Sequence, residues 1–452
     1  MSSAVLFALL AVVCTVFAFT RHPIWGFYFY LATTYVFPPV RWWGYMFGGM
    51  RWALLSAAVT VLAIMFHKGK LLPKPLWVGN GPAVLLIMYA SWMWLQTPWA
   101  LDLDAHINGT SIYTKYVLAF WFVYRVCDTK EHLRDSLLAH LLGCTFLGVL
   151  AQFTGRDGDR LDGVGGPGID DANTLGMYLV TGVIIAIGLF LTQKGWRRYL
   201  SLICMAIVAN GFILANSRGA FLGLAAGGIV LAVSKAKEHR RIFWAFALFG
   251  VLGLASLVDE AFINRMFTIQ DVSSHDEDAD MSARSRVEVA KAQLRMFIDH
   301  PMGVGHRGTA SLSAEYLDRK WLSSGGDEDQ RARSSHSTFL TALVEQGVPG
   351  VLMYIAMVIW IFGAIWRIRG LKKPTDDPEL ATLGSAMCAA LVSVLVSGNT
   401  ADYLLAEVHF WQLAALVSML QFSFPMNQAG VHYRDVAGMR RMPAPGAAPQ
   451  RQ

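Results

Sequence analysis

Apolar residues in this chain come in long blocks rather than in alternation, and that pattern decides what the chain can fold into. A block of roughly 18 or more apolar residues reads as a helix that crosses a membrane. Roughly thirteen such spans can be read, within a range of about twelve to fourteen. Their approximate extents are 2–19, 25–39, 52–67, 80–97, 113–127, 134–153, 173–192, 197–215, 218–234, 241–257, 337–366, 379–398 and 404–422. Composition agrees: 54% of the 452 residues are hydrophobic and 15% charged, where a soluble chain carries about a quarter charged. The expected fold is all-α, a polytopic integral membrane helical bundle with one large helical extramembrane loop. Spans one to ten would fill residues 1–257, the loop 258–335, the last spans 336–422, and a tail expected to be disordered 423–452. The first block has no basic region before it, so no cleavable signal is expected.

Loop charge assigns the sides. "HKGKLLPK", "RVCDTKEHLR", "TQKGWRR", "SKAKEHRR" and "RIRGLKK" are rich in Lys and Arg and fall in every second gap, as cytoplasmic loops do. The alternate gaps hold "LDLDAHINGTS", "GRDGDRLDGVGGPGIDDAN", the "NSRG" turn, the long loop and "SGNTADY". These would face outward, into the periplasm of a Gram-negative cell. The formal charge of +6 thus belongs to orientation and membrane lipids, not to nucleic acid. Cys14, Cys127, Cys144, Cys204 and Cys388 lie in or beside apolar blocks without metal-ligand spacing, and read as small buried hydrophobes.

Arg218 interrupts this apolar pattern. It falls at a tight turn on the outer side, where the next helix starts and Ser217 is a plausible N-cap. Backbone N–H groups and the positive helix end point to the same place. Two readings stand: an arginine that snorkels to the interface, or an arginine and a helix end that share an anion.

In the long loop, "DVSSHDEDADMSARSR" reads as a solvated or mobile segment, and its acidic residues match no calcium loop. No metal is expected. The stretch "SRVEVAKAQLRMFIDHP" follows, with Val287, Ala290, Leu294, Phe297 and Ile298 on one helical face. That predicts an amphipathic helix lying on the membrane or the bundle, with Arg284 and Arg286 near its start. "GVGHRG" reads as a glycine turn and "SSGGDEDQRAR" as a loop. His336 then stands at the outer start of a span, and Glu345 lies deeper, before a "GVPG" break. A glutamate inside a span by default marks a function or a buried partner.

Arg218, Arg286 (or Arg284) and His336 share a membrane side and a similar depth. A lipid-linked pyrophosphate is an anion that fits them: its tail lies between helices and its phosphates at the interface.

"SRGAFLGL", then "R-x-E-x-x-x-A-x-x-x-F-x-x-HPMGVG", then "HSTFLTALVEQGVPG" resembles the O-antigen ligase and polymerase superfamily. "RHPIWGFYFYLATTYVFPP" and "GPGIDDANTLG" resemble the branch of O-glycosylation ligases. The resemblance implies a glycosyltransferase of the bacterial inner (cytoplasmic) membrane. Such an enzyme moves a glycan from undecaprenyl pyrophosphate to lipid A–core, a protein or a growing polysaccharide, inverting the anomeric centre without metal or other cofactor. It assigns the essential roles to Arg218, Arg286 and His336. Ser337 stands where the family often has asparagine.

The chemistry agrees. Pyrophosphate is a good leaving group, so the main task is to stabilise its developing charge, which fixed arginines do well in a poorly hydrated site. His336 would orient or deprotonate the acceptor, or contact phosphate. Asp171, Asn173, Glu345 and Asp402 are further candidates for holding sugar hydroxyls or pairing the arginines. Asp171 and Asn173 serve equally well as caps of the helix that follows. A polymerase uses the same donor. A secondary transporter is the rival of another class, though no internal repeat supports it, and a non-catalytic scaffold is a further one.

Overall fold

The computed structural model describes residues 2–155, 161–234, 239–245, 247–248, 277–322, 332–370 and 377–423. Among these the chain forms helices and turns and no strand. The helices of the first part are α1 Ser2–Thr20, α2 Ile24–Val36, α3 Trp52–Phe66, α4 Gly81–Leu95 and α5 Leu103–Val126. Then come α6 Lys130–Thr154, α7 Ala172–Thr192, α8 Trp196–Ala215 and α9 Arg218–Ser234. The long loop supplies α10 Glu277–Asp299 and α11 Gly308–Tyr316, and the last part α12 Thr338–Gly370, α13 Pro378–Ser397 and α14 Glu407–Ser423. The tenth expected span, 241–257, falls mostly outside the described residues, as do the acidic residues before Glu277, most of "SSGGDEDQRAR" and the tail beyond Ser423.

Among the described residues six helices are long and apolar enough to cross a membrane: those over 3–20, 130–154, 172–192, 196–215, 338–370 and 378–397. Shorter apolar helices cover Trp52–Phe66, Gly81–Leu95 and Arg218–Ser234. The protein is therefore an all-α, polytopic membrane protein. In α7 and α13, 89% of the apolar window is buried, against 28% in α1 and α12. The first pair forms the centre of the bundle, packed on α8 and α9. The second pair turns most of its apolar surface outward, as helices facing lipid do. All five cysteines are buried.

Side-chain caps set several helix starts. Asp102 accepts the Ala105 N–H at 2.9 Å at the head of α5. Thr129 accepts the His132 N–H at 3.1 Å at the head of α6. Asp377 accepts the N–H groups of Glu379 and Leu380 at 3.0 and 3.2 Å, with Pro378 at the first helical position of α13. Each oxygen satisfies donors that the helix itself leaves open.

The long loop differs from expectation at its start. The stretch read as solvated is helical from Glu277, so Asp278 and Asp280 lie in the first turns of α10. A helix N-terminus welcomes acidic residues, and that favours helix over coil here. The apolar surface of α10 is divided, part packed on the bundle and part facing outward, as a helix between bundle and membrane would be. Ser285, Val289, Ala292, Gln293 and Met296 are buried, while Val287, Leu294 and Ile298 are exposed. α10 packs on α11 and α12 through Val289, Ala292 and Met296, with Phe297 of the expected stripe half-buried beside them.

Candidate active site

The "NSRG" turn forms the smallest piece of the site. Asn216 ends α8 in the left-handed conformation at φ 51°, which asparagine tolerates better than most residues. Buried Ser217 caps α9: its Oγ accepts the Ala220 N–H at 3.3 Å and donates to Asn173 Oδ1 at 3.0 Å. Asn173 is in the first turn of α7, which Asp171 caps by accepting the N–H groups of Asn173 and Thr174 at 2.9 and 3.1 Å. Asp171 is thus the cap, and Asn173 ties the starts of α7 and α9 together.

The turn 398–403 joins a third helix to that pair. The Tyr403 hydroxyl donates to the Asn173 carbonyl at 2.9 Å. The Thr338 N–H donates to the Gly398 carbonyl at 2.7 Å, and Thr338 Oγ1 accepts the Tyr403 N–H at 2.8 Å. Arg218, the first residue of α9, and exposed His336, two residues before α12, are therefore held around one turn.

A fourth segment is bound in by a break in α12. Gly347 has φ 64° and ψ −162°, outside helical values. A break inside a span frees carbonyls that must find donors. The segment "HPMGVG" supplies them and takes a donor in return. Val304 and Gly305 donate their N–H groups to the carbonyls of Val344 and Glu345 at 3.2 and 3.0 Å, and the Val348 N–H donates to the Pro301 carbonyl at 2.8 Å. The Gln96 amide donates to the carbonyls of Met302 and Glu345 at 3.1 and 3.0 Å. Trp92 Nε1 donates to the Gln346 carbonyl at 2.7 Å and Trp99 Nε1 to that of Gly303 at 3.1 Å. Two sequence motifs far apart are thereby one clasp.

The clasp delivers His306. Its N–H donates to His106 Nδ1 at 2.9 Å. His106 Nε2 lies 2.9 Å from the Met93 carbonyl, so the His106 proton sits on Nε2. His306 Nδ1 stands 3.2 Å from Oε2 of buried Glu345. That is ion-pair distance, although the direction falls short of a hydrogen bond. Burial lowers the His306 pKa, but the Glu345 carboxylate, and then that of Asp402, outweigh it and raise the pKa above the usual histidine value. Asp402 is exposed to the cavity rather than enclosed by side chains. Loss of bulk water there, first, and the Glu345 charge, second, raise its carboxyl to about 6. Arg307 follows in the left-handed conformation at φ 68°, a strained backbone of the kind that gathers at functional sites.

These groups line a cavity of about 460 Å³, which includes Asp170, Asp171, His306, Arg307, Glu345 and Asp402. A second cavity of about 450 Å³ includes Asp102, Asn108, Gly109, His306 and Arg307.

Of the residues expected from sequence, Asp171, Glu345 and Asp402 come together in the first cavity, with Ser334 and Ser335 beside His336 on its wall. Asn173 and Ser217 are tied to Asp171 of that lining, while Arg218 is among the lining residues of neither cavity. Arg286 is exposed on α10 and is among the lining residues of neither cavity. The Arg284 side chain is outside the described residues. His306 and Arg307 were missed, because "GVGHRG" reads as a turn. The available signal was a His–Arg pair held between glycines directly after an "HP" segment.

At the opposite end of the bundle, His22, Asp128 and His132 bring three possible metal ligands within 4.8 Å. The Ile24 N–H donates to His22 Nδ1 at 3.1 Å, which leaves the ring proton on Nε2, facing Asp128 Oδ2 at 3.4 Å. His132 Nδ1 lies 2.7 Å from the other oxygen. The proton arrangement is that of a hydrogen-bonded cluster. Burial raises the Asp128 pKa, but the two histidines outweigh it and hold the carboxyl below its usual range. Asp128→Asn is expected to destabilise the protein by about 2 kcal/mol, the scale of hydrogen bonds to a charged group. A melting temperature equal to wild type in detergent would contradict this.

Together these features define a polytopic membrane protein with polar chambers at one end of its bundle. Residues 203–355 are similar to the family described as O-Antigen ligase, in agreement with the resemblance read from the motifs. That segment spans Arg218, α10, His306 and Glu345. No curated protein matches the chain.

Proposed function

We propose that this protein moves a glycan from undecaprenyl pyrophosphate to an acceptor on the outer face of the bacterial inner membrane. The acceptor is lipid A–core, a protein or another glycan. The O-antigen ligase match over 203–355 carries this reading. The polar cavity supports it, since its volume suits a sugar and its phosphates. A narrow apolar crevice between α4, α5, α12, α13 and α14 shares Tyr403 with that cavity, which suits a lipid tail continuing from a bound headgroup.

In this reading Arg218 and an arginine of α10, Arg286 or Arg284, hold the leaving pyrophosphate. His336 activates the acceptor or contacts phosphate. The transfer inverts the anomeric centre and runs without metal. The test is transfer in reconstituted membranes from undecaprenyl-pyrophosphate-linked oligosaccharide, with chelator present. Arg218→Ala should lose about 100-fold or more, the scale for removing a fixed group that stabilises developing charge. Arg218→Lys should recover little, because lysine lacks the paired donors. Transfer of one block identifies a ligase and a ladder of lengthening chains a polymerase. No transfer by folded wild type with any acceptor would overturn the reading in favour of transport or scaffolding.

A further inference from the structure

We propose that His306 takes the proton from the acceptor hydroxyl, standing between a donor chamber and an acceptor chamber. This deepens the function proposed above and rests on it. Four observations carry it.

The first is that His306 and Arg307 line both cavities. The second is orientation. The Nδ1 edge of the ring faces Glu345 in the first cavity. The Cδ2–Nε2 edge faces α5 at Gly109, where any Cβ would overlap the ring. Gly109 lines the second cavity. One nitrogen therefore meets a buried carboxylate while the other opens onto separate space. The third is fixation. The His306 backbone is held by His106, and the turn before it is clasped to the broken α12. The fourth is the carboxylate itself. Glu345 favours the proton on Nδ1 and leaves the Nε2 lone pair available, the same division of labour that a carboxylate gives histidine in a nucleophile–base–orienter triad.

The step balances as follows. The acceptor oxygen forms a bond to the anomeric carbon. The bond from that carbon to the pyrophosphate oxygen breaks, and its electron pair leaves with the phosphate. The acceptor proton passes to His306 Nε2 and then to water in the chamber. Arg307, fixed in its strained turn, lies where both chambers meet and offers charge to the leaving phosphate. Asp102 and Asn108 on the far wall suit the hydroxyls of an acceptor sugar. His336 is then left with the phosphate side. The charged and titratable groups around the ring are His106 and Asp102 of α5, Glu345 of α12, Asp402 of the turn before α14, Asp170 and Asp171 before α7, and its neighbour Arg307.

The experiment uses full-length protein in proteoliposomes. His306→Gln, His306→Ala and His336→Gln are compared with wild type for transfer rate against pH and, separately, for binding of undecaprenyl pyrophosphate. His306→Gln should lose about 100-fold or more in kcat, the scale of a general base, with lipid pyrophosphate binding within about threefold. Its residual rate should lack the acid limb of the wild-type profile. Added imidazole should restore part of the rate to His306→Ala, a rescue that a structural role would not show. His306→Gln active within about threefold of wild type, or an acid limb lost only in His336→Gln, would overturn the proposal. Wild type inactive with every acceptor would instead sink the function it rests on.

Discussion

Gly347→Ala is expected to unfold the site end of the bundle and abolish activity. At φ 64° and ψ −162° the backbone is in a region essentially reserved for glycine, and holding a residue with a Cβ there costs about 1–3 kcal/mol. Here the added carbon would also run into the backbone of Pro301, Met302 and Gly303. The clasp must then part, giving up the Val304, Gly305 and Val348 hydrogen bonds, each worth about 1 kcal/mol. The sum is about 4–6 kcal/mol, a large share of a typical folding free energy of about 5–15 kcal/mol. Gly49→Ala is the control. Gly49 has φ 73° and open space around it, so it should show the conformational cost alone. Melting of the two variants in detergent decides the matter. If Gly347→Ala melts no lower than Gly49→Ala, the clasp does not hold the site.

How much of this was legible in the sequence follows from the range of the forces. The spans were legible because a helix in lipid needs a local run of apolar residues, and "NSRG" because a two-residue turn is local too. Asp171 and Ser217 were legible as caps for the same reason. The clasp was not. Its bonds join 301–305 to 344–348 and to Gln96, Trp92 and Trp99, segments that no periodicity relates. Each half showed only its local sign, a glycine turn in one and "GVPG" in the other. His306 was hidden for that reason: its neighbours Glu345, His106 and Asp402 come from three distant segments. The α10 stripe is legible as apolar, but which of its residues meet the bundle is not, because amphipathicity says only which residues avoid water and a helix beside a membrane has two faces that do so.

The clasp also explains why Glu345 sits where it does. A glutamate seven residues into a span is costly unless paired. The break at Gly347 admits the "HPMGVG" turn to membrane-facing depth, and the turn brings the cation. Backbone distortion and buried charge are thus two parts of one device. Neither has a partner without the other.

Glu345→Gln tests that device through pH. The Glu345 charge raises the His306 pKa and adds to the rise at Asp402, so removing it should lower both. If His306 acts as a base, the acid limb of the rate profile moves to lower pH, because the ring stays neutral further down. The plateau should fall by about tenfold or more, since the ring loses its orienting carboxylate and is a weaker base. Stability carries the same sign. A folded Asp402 that titrates near 6 instead of near 4 holds a proton the unfolded chain has released, so stability falls as pH rises from about 4 to 6. The raised His306 pKa likewise stabilises the fold below the unfolded value near 6.5 and loses that contribution as pH rises through its folded pKa. In Glu345→Gln both slopes should flatten. An unmoved acid limb together with an unchanged slope of melting temperature against pH would mean that Glu345 does not govern these groups.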